Sequence, residues 1–371
     1  GNIVGACGAI LIGGPGAIFW MWVSAFFGMS TIYAEATLAQ QYKVKKDGEV
    51  TGGPVYYIRA AFKGTFGKAL AAIFAILIVL ALGFTGNMVQ SNSIGAAFSE
   101  VFSARNIEIP SIVFGLILAA VIGFIFLGGV NRLASVVEKI VPIMAGIYIV
   151  GSLVLILMNI TALPGAIKMI FVGAFNPEAV VGAGAGIAVR EAIRFGVARG
   201  LFSNEAGMGS TPHAHARAKV ENPHKQGLAA MISVFIDTFI ILNLTVFSIL
   251  TTGVLDSGKE GTALTQAAFT KGFGNFGDIF VAVCLLFFAF STILGWHFFG
   301  EVNVKYLFGE KAAKFYSILV IGFVIVGSTL KVQLVWSLSD FFNGLMVIPN
   351  AIALWALSGV VVKICKQYGK K

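Results

Sequence analysis

The feature that constrains this chain most is a succession of apolar runs, each close to the length of a bilayer crossing, separated by short polar loops. A hydrocarbon core of ~30 Å takes ~20 helical residues to cross. Runs of that kind fall near 16–40, 69–98, 111–129, 139–161, 179–202, 228–252, 276–299, 313–329 and 350–365. Composition agrees, with 57% of residues hydrophobic, 12% charged and a mean hydropathy of +0.89, about half the charge of an ordinary soluble domain. Such a chain needs lipid around it, and it reads as an all-α polytopic membrane protein. Its 45 glycines allow helices to approach closely and to break locally inside a membrane.

The same features exclude several function classes. A net charge of +9 suits nucleic acid in the abstract, but the basic residues occupy short loops between spans, so no nucleic-acid partner is expected. Cys7, Cys284 and Cys365 have no paired spacing and imply neither disulfides nor a metal framework. Nothing in the spans resembles a nucleophile–base pair or a metal-ligand cluster, so an enzyme is not expected.

The first apolar run, 3–14, is too short to cross, and the sequence is expected to begin inside a helix, truncated at its N-terminal side. Loop charges assign the sides. Lys43, Lys45, Lys46, Arg59, Lys63 and Lys68 share a side with Arg132, Lys139, Arg217, Lys219, Lys225, Lys305, Lys311 and Lys314. The opposite loops hold only Arg105, Lys168, Lys259, Lys271 and Lys331, which makes the first set cytoplasmic. The lysine-bearing tail (Lys363, Lys366, Lys370, Lys371) belongs with them. Residues 331–366 must then cross once, and the amphipathic stretch 331–349, with Gln333, Asp340 and Asn343, is expected to lie along the interface or to be re-entrant.

The two halves resemble each other at offsets of 199 to 207 residues. Val121-Ile122-Gly123-Phe124 recurs as Val320-Ile321-Gly322-Phe323, Gly128 answers Gly327, and Glu138 answers Asp340. Pro142, Tyr148 and Ser152 are matched by Pro349, Trp355 and Gly359, and Phe84-Thr85 with Gln90 by Phe290-Ser291 with Trp296. Asn2 and Gly5 parallel Asn204 and Gly207. Five crossings per unit put the second copy upside down, the inverted-repeat plan of many secondary transporters. The division expected is 1–161 for the first repeat, 162–366 for the second and 367–371 for a cytoplasmic tail.

In such a plan the first helix of each repeat is interrupted near the midplane, so that free N–H and C=O groups can hold an anionic group and a cation. The stretch Phe202-Ser203-Asn204-Glu205-Ala206-Gly207-Met208-Gly209-Ser210 is such an interruption, and a short polar helix, Thr211 to Val220, follows it. A re-entrant loop or a helix cap is the plainer reading. The first repeat's break falls at Gly1-Asn2.

Gln90 and Asn87 sit in an otherwise apolar span, where an unsatisfied amide costs several kcal/mol, so both must face the bundle interior. For Asn87 interhelical hydrogen bonding serves equally well. Ser291 and Thr292, just before Trp296, offer hydroxyl oxygens that suit Na⁺, although a Ser-Thr pair commonly bonds its own backbone carbonyl. Intramembrane carboxylates are few, Glu35, Asp237 and Glu205, which favours Na⁺ coupling over a proton relay; Asp237 also stands as a proton or ion site. His213 and His215 at i, i+2 point to different helix faces and do not suggest a metal site. Arg190, Arg194 and Arg199 are placed to reach an interface or to pair with Glu191 and Glu205.

Taken together, Gly1-Asn2-Ile3-Val4-Gly5, Gly13-Gly14-Pro15-Gly16-Ala17-Ile18-Phe19-Trp20-Met21-Trp22, Tyr33-Ala34-Glu35, Gly52-Gly53-Pro54 with Tyr56-Tyr57, Gly86-Asn87-Met88-Val89-Gln90, Arg199-Gly200-Leu201-Phe202-Ser203-Asn204-Glu205-Ala206-Gly207 and Ser291-Thr292-Ile293-Leu294-Gly295-Trp296 strongly resemble the alanine or glycine:cation symporter family, along essentially the whole chain. That family resembles the amino acid/polyamine/organocation superfamily, with its leucine-transporter-like 5+5 inverted repeat. The resemblance implies Na⁺-coupled symport of small neutral amino acids, alanine or glycine, by alternating access across a prokaryotic plasma (inner) membrane. It implies no cofactor beyond the coupling ion, and a cytoplasmic C-terminus. An H⁺-coupled symporter, or a channel or non-transporting receptor on the same scaffold, are the alternatives. By motif, Asn2, Gln90, Phe202, Ser203, Asn204, Gly207 and Gly209 are implied to hold the substrate and Trp296 to close the pocket. Thr292, Ser291 and the carbonyl of Ala289 are implied to bind Na⁺. The family normally has an extra N-terminal helix and a Gly-Thr before this Gly-Asn, so the rest of that ion site is expected to come from residues preceding Gly1.

Overall fold

In lipid every backbone N–H and C=O must find a partner within the protein, which leaves the helix as the structure available to these apolar runs. The computed structural model describes residues 1–46, 48–126, 128–176 and 189–369. Its helices are α1 (Val4–Gly13), α2 (Ala17–Gln41), α3 (Pro54–Ala61), α4 (Gly64–Ser103), α5 (Ser111–Phe126), α6 (Gly129–Met158), α7 (Leu163–Phe175) and α8 (Val189–Asn204). They continue as α9 (Pro212–Arg217), α10 (Pro223–Thr252), α11 (Thr262–Phe273), α12 (Gly277–Phe308), α13 (Glu310–Thr329), α14 (Val332–Ala356) and α15 (Ser358–Tyr368). A small antiparallel hairpin, β1 (Val44–Lys46) and β2 (Glu49–Thr51), is the one strand pairing among the described residues. Seven helical stretches within them are long and apolar enough to cross a membrane, and α1, α5 and the stretch 160–175 are shorter apolar helices. Large apolar side chains such as Phe27, Phe124, Leu157, Phe308 and Trp355 are exposed, a surface that suits hydrocarbon rather than water. The chain is a multi-pass membrane protein.

Two of the long helices widen into a π-helical turn, Val79–Gly86 in α4 and Ile236–Leu242 in α10. Such turns cluster at functional sites because they shift the helical register and free backbone groups. In α4 the Thr85 hydroxyl donates to the Ala81 carbonyl at 2.9 Å and the Asn87 amide to the Gly83 carbonyl at 3.0 Å.

Packing follows the glycines. α2 lies against α8 and α10, α4 against α12 and α13, α5 against α13, and α1 against α8. A Cβ on Gly115 would meet Ser328 Oγ at 2.2 Å, one on Gly196 would meet the Ala17 carbonyl oxygen at 2.4 Å, and one on Gly327 would meet Met88 Cα at 2.5 Å. Backbones this close need residues without side chains.

Several expectations are corrected. Residues 331–349 are neither interfacial nor re-entrant: they form most of α14, one continuous helix of 25 residues, about 37 Å at 1.5 Å per residue. Two of their polar side chains find partners inside the protein, Asp340 in Arg199 at 2.5 Å and the Asn343 amide in Ser339 Oγ at 3.2 Å, while Gln333 is exposed. The span expected at 350–365 is instead the end of α14 and then α15, separated at Leu357. Between 331 and 366 the one helix long and apolar enough to cross a membrane is Val332–Ala356. Arg199 pairs with Asp340 and not with Glu205, while Arg190 and Arg194 approach Glu191 at 3.9 and 3.8 Å. The polar helix expected over 211–220 is shorter, Pro212–Arg217. The first part of the span expected at 179–202 lies outside the described residues. The hairpin, α3, α7 and α11 carry no long apolar run and went unread.

Gly327→Ala is expected to destabilise the protein by ~1–3 kcal/mol through overpacking against the α4 backbone. Gly123→Ala meets only the flexible tip of Ile321 at 3.4 Å and should be tolerated. Melting temperatures in detergent compare the two, and equal values would contradict this account of the packing.

Candidate functional site

The site is built around the end of α8. After Asn204 the chain leaves the helix through three positive φ angles, Glu205 at 59°, Gly207 at 99° and Gly209 at 77°, before α9 begins. Glycine tolerates this conformation, and a glutamate does so only when its surroundings hold it. The Glu205 carboxylate accepts hydrogen bonds from Trp296 Nε1 at 2.7 Å and from the Ser210 hydroxyl.

A helix that stops inside a membrane protein leaves N–H and C=O groups without partners. Here Glu35 of α2, fully buried, accepts from Gly207 N at 3.1 Å and Gly209 N at 2.9 Å. Asn350 of α14 donates to Glu35 Oε1 at 2.5 Å and to the Gly207 carbonyl at 2.9 Å, and Tyr57 of α3 donates to Asn350 Oδ1 at 2.5 Å. Three parts of the fold thus meet at one carboxylate, and a fourth, α3, is tied to it through Asn350. Sequence reading counted Glu35 among the intramembrane acids without giving it a task; its signal was a charge in a run that otherwise has none.

The start of the chain lies against this break. The Ser203 hydroxyl meets Asn2 Oδ1, and Gly1 approaches the Ser203 backbone so closely that a Cβ would lie 2.5 Å from Ser203 Cα. Beside them opens a cavity of about 420 Å³, within the usual range for small-ligand sites. Asn2, Gln90, Phe202, Ser203, Ala289, Ser291 and Thr292 all line it, so the structure brings these expected residues together. The Ser291 and Thr292 hydroxyls both donate to the Phe288 carbonyl, at 3.0 and 2.8 Å. This is the self-satisfied arrangement that Ser and Thr commonly adopt in helices. It uses their protons and leaves their oxygen lone pairs available to a cation.

Asn204, Gly207, Gly209 and Trp296 do not line the cavity. Asn204 donates to Thr238 Oγ1 at 3.1 Å, and the two glycines shape the loop behind. Trp296 lies one ring back, edge-on to Phe202 at 5.5 Å. The tryptophan in the wall is Trp336 of α14, 4.7 Å from the Phe202 ring. It is clamped by Arg199, whose guanidinium sits 4.1 Å over its ring while pairing with Asp340 one helical turn along. The i, i+4 spacing of Trp336 and Asp340 was the available signal, hidden by reading their segment as interfacial. The two histidines go different ways: His213 Nε2 faces Asn303 Nδ2 at 2.8 Å and His215 Nδ1 faces Gln226 at 2.7 Å.

These features define a polytopic membrane fold with a midchain break beside a small, mostly apolar cavity that carries a few polar groups. A solved manganese transporter of Eremococcus coleocola shares the fold at a TM-score of 0.57 and 14% identity, covering 95% of this chain and 75% of that one. The chain belongs to the sodium:alanine symporter family, which it matches over residues 1–371. It is 43% identical over 372 residues to the amino-acid carrier protein AlsT of Bacillus subtilis, covering 100% of this chain and 77% of the relative. It is 40% identical over 376 residues to the sodium/alanine symporter AgcS of Methanococcus maripaludis, covering 100% of this chain and 81% of the relative. The family is one of transporters, not enzymes.

Glu35→Ala should leave the Gly207 and Gly209 N–H groups without acceptors, at ~1–3 kcal/mol each. Amide hydrogen exchange across 205–210 is expected to accelerate and the melting temperature to fall, with Glu35→Gln intermediate because one acceptor oxygen remains. Unchanged exchange in Glu35→Ala would show that the carboxylate does not hold the loop.

Proposed function

We propose that the protein is a Na⁺-coupled symporter of small neutral amino acids, alanine or glycine, working by alternating access. The observation that carries this reading is the cavity itself: it lies where Asn2 meets the end of α8, and it is lined by a carboxamide, Gln90, and by the hydroxyl-bearing Ser291 and Thr292. The carboxylate of an amino acid would take hydrogen bonds from Gln90 and the backbone at the break, with Asn2 contacting the substrate beside them. Na⁺ would take the Ser291 and Thr292 oxygens and the Ala289 carbonyl. Phe202 and Trp336 would limit side-chain size, with Trp296 supporting Phe202 from behind. Asn204, Gly207 and Gly209 would keep the helix open.

An inverted 5+5 repeat over 1–161 and 162–366, with 367–371 as a tail, accounts for the packing. Four helices of the first half lie directly against their counterparts in the second: α1 on α8, α2 on α10, α4 on α12 and α5 on α13. Rocking one bundle of such pairs against the other would expose the cavity to each side in turn. The lysine-rich hairpin and loops would face the cytoplasm of a prokaryotic cell, as would the C-terminus.

Uptake of labelled alanine into proteoliposomes tests the reading, with imposed inward Na⁺ or H⁺ gradients compared against none. Saturable uptake driven by Na⁺ is expected. Uptake driven by H⁺ alone would reassign the coupling ion, and uninhibited conductance without saturable uptake would make the protein a channel. Gln90→Ala is expected to raise the half-saturating alanine concentration about tenfold, and Thr292→Ala to raise the half-saturating Na⁺ concentration with a smaller effect on alanine. If neither value moves, the site lies elsewhere.

A further inference from the structure

Among the described side chains that line the cavity, Asp237 is the only ionisable one. It sits in the π-helical turn of α10, and its Oδ2 accepts from Ser203 Oγ at 2.9 Å and from Thr238 Oγ1 at 3.1 Å. The donors to this carboxylate are all neutral: the Ser203 hydroxyl, whose single proton is shared between Asp237 Oδ2 and Asn2 Oδ1, the Thr238 hydroxyl and the Asn2 side chain. None of the described side-chain ion pairs includes Asp237, and the Arg199 guanidinium is bound to Asp340 at 2.5 Å. A second observation points the same way. Gln90, 5% exposed and lining the same cavity, makes no side-chain hydrogen bond among the described residues. A carboxylate with no cationic side-chain partner and a carboxamide with no side-chain hydrogen bond therefore face one small cavity. Both deficits are costly in an apolar surround.

A zwitterion repairs both. We infer that Asp237 is the counter-charge for the ammonium group of the transported amino acid, and that it makes the cavity select amino acids over carboxylic acids of the same size that lack the amino group. The inference rests on the amino-acid reading above and adds the residue that recognises the amino end. The ammonium brings three donors, enough for Asp237 Oδ2 and Asn2 Oδ1 together, while the carboxylate is left for the Gln90 amide.

The test uses the protein in proteoliposomes and compares it with Asp237→Asn, which keeps the shape and one acceptor oxygen but removes the charge. Three quantities are read: the half-saturating alanine concentration, the preference for alanine over propionate as competitors of labelled alanine uptake, and ²²Na⁺ binding without amino acid. In Asp237→Asn the half-saturating alanine concentration should rise by about 30-fold or more and the preference over propionate should shrink by a similar factor. Retained Na⁺ binding, within about twofold of the parent, shows that the variant is folded and that its defect is in amino-acid recognition. Unchanged alanine affinity and preference overturn the inference. So does loss of Na⁺ binding in a variant whose melting temperature is unchanged, because that assigns the carboxylate to the coupling ion. The parent protein gives a measure that needs no variant: propionate competing within about threefold of alanine also overturns it. If the parent itself shows no Na⁺-driven alanine uptake, the symporter reading fails first; if it does and Asp237→Asn is indifferent, only this inference fails.

Discussion

The architecture of the site depends on one carboxylate. A helix interrupted inside an apolar bundle exposes donors that lipid cannot satisfy, and Glu35 accepts from two of them while Asn350 closes the arrangement from α14. The buried carboxyl group is tolerable because its oxygens accept from three donors, a condition without which its burial is destabilising. Through Asn350 and Tyr57 the same network joins α2, α3, α14 and the broken loop. Removing any of these partners leaves another buried polar group unsatisfied, so the network stands or falls largely as a unit.

That network also determines what reaches the cavity. With the glycines of the break turned toward Glu35, Ser203 and Phe202 at the end of α8 face the other way, toward Asn2 and Gln90. Glu205 holds Trp296 behind Phe202, and Arg199 holds Trp336 beside it. The aromatic wall is thus set by two charged residues that never touch the cavity. A small cavity of this kind limits substrate by size, and its few polar groups select by chemistry.

Much of this was legible from residue order. The break at 202–210 announced itself by glycines and polar residues in a run that should have none, and Gln90, Ser291 and Thr292 by amide and hydroxyl groups in apolar helices. Gln90, Ser291 and Thr292 line one cavity with Phe202 and Ser203, while the rest of the break lies behind it. Trp336 and Asp340 were misplaced because half their helix is polar, and a polar face looks the same in sequence whether it meets water, lipid headgroups or Arg199. Trp296 was expected in the wall and lies one ring behind it, a difference of one aromatic layer that periodicity along a helix does not resolve.

Local chemistry, read residue by residue, determined that this chain belongs in a bilayer, where its helices run and where one of them breaks, because transfer of apolar side chains and the cost of unsatisfied peptide groups depend on the segment itself. Tertiary structure alone decided which polar groups satisfy one another and which are left facing the cavity. Glu35, Glu205 and Asp237 are the same kind of group in the sequence. Their surroundings make the first a clasp for a loop, the second a prop for an indole ring, and the third a carboxylate with room for a partner.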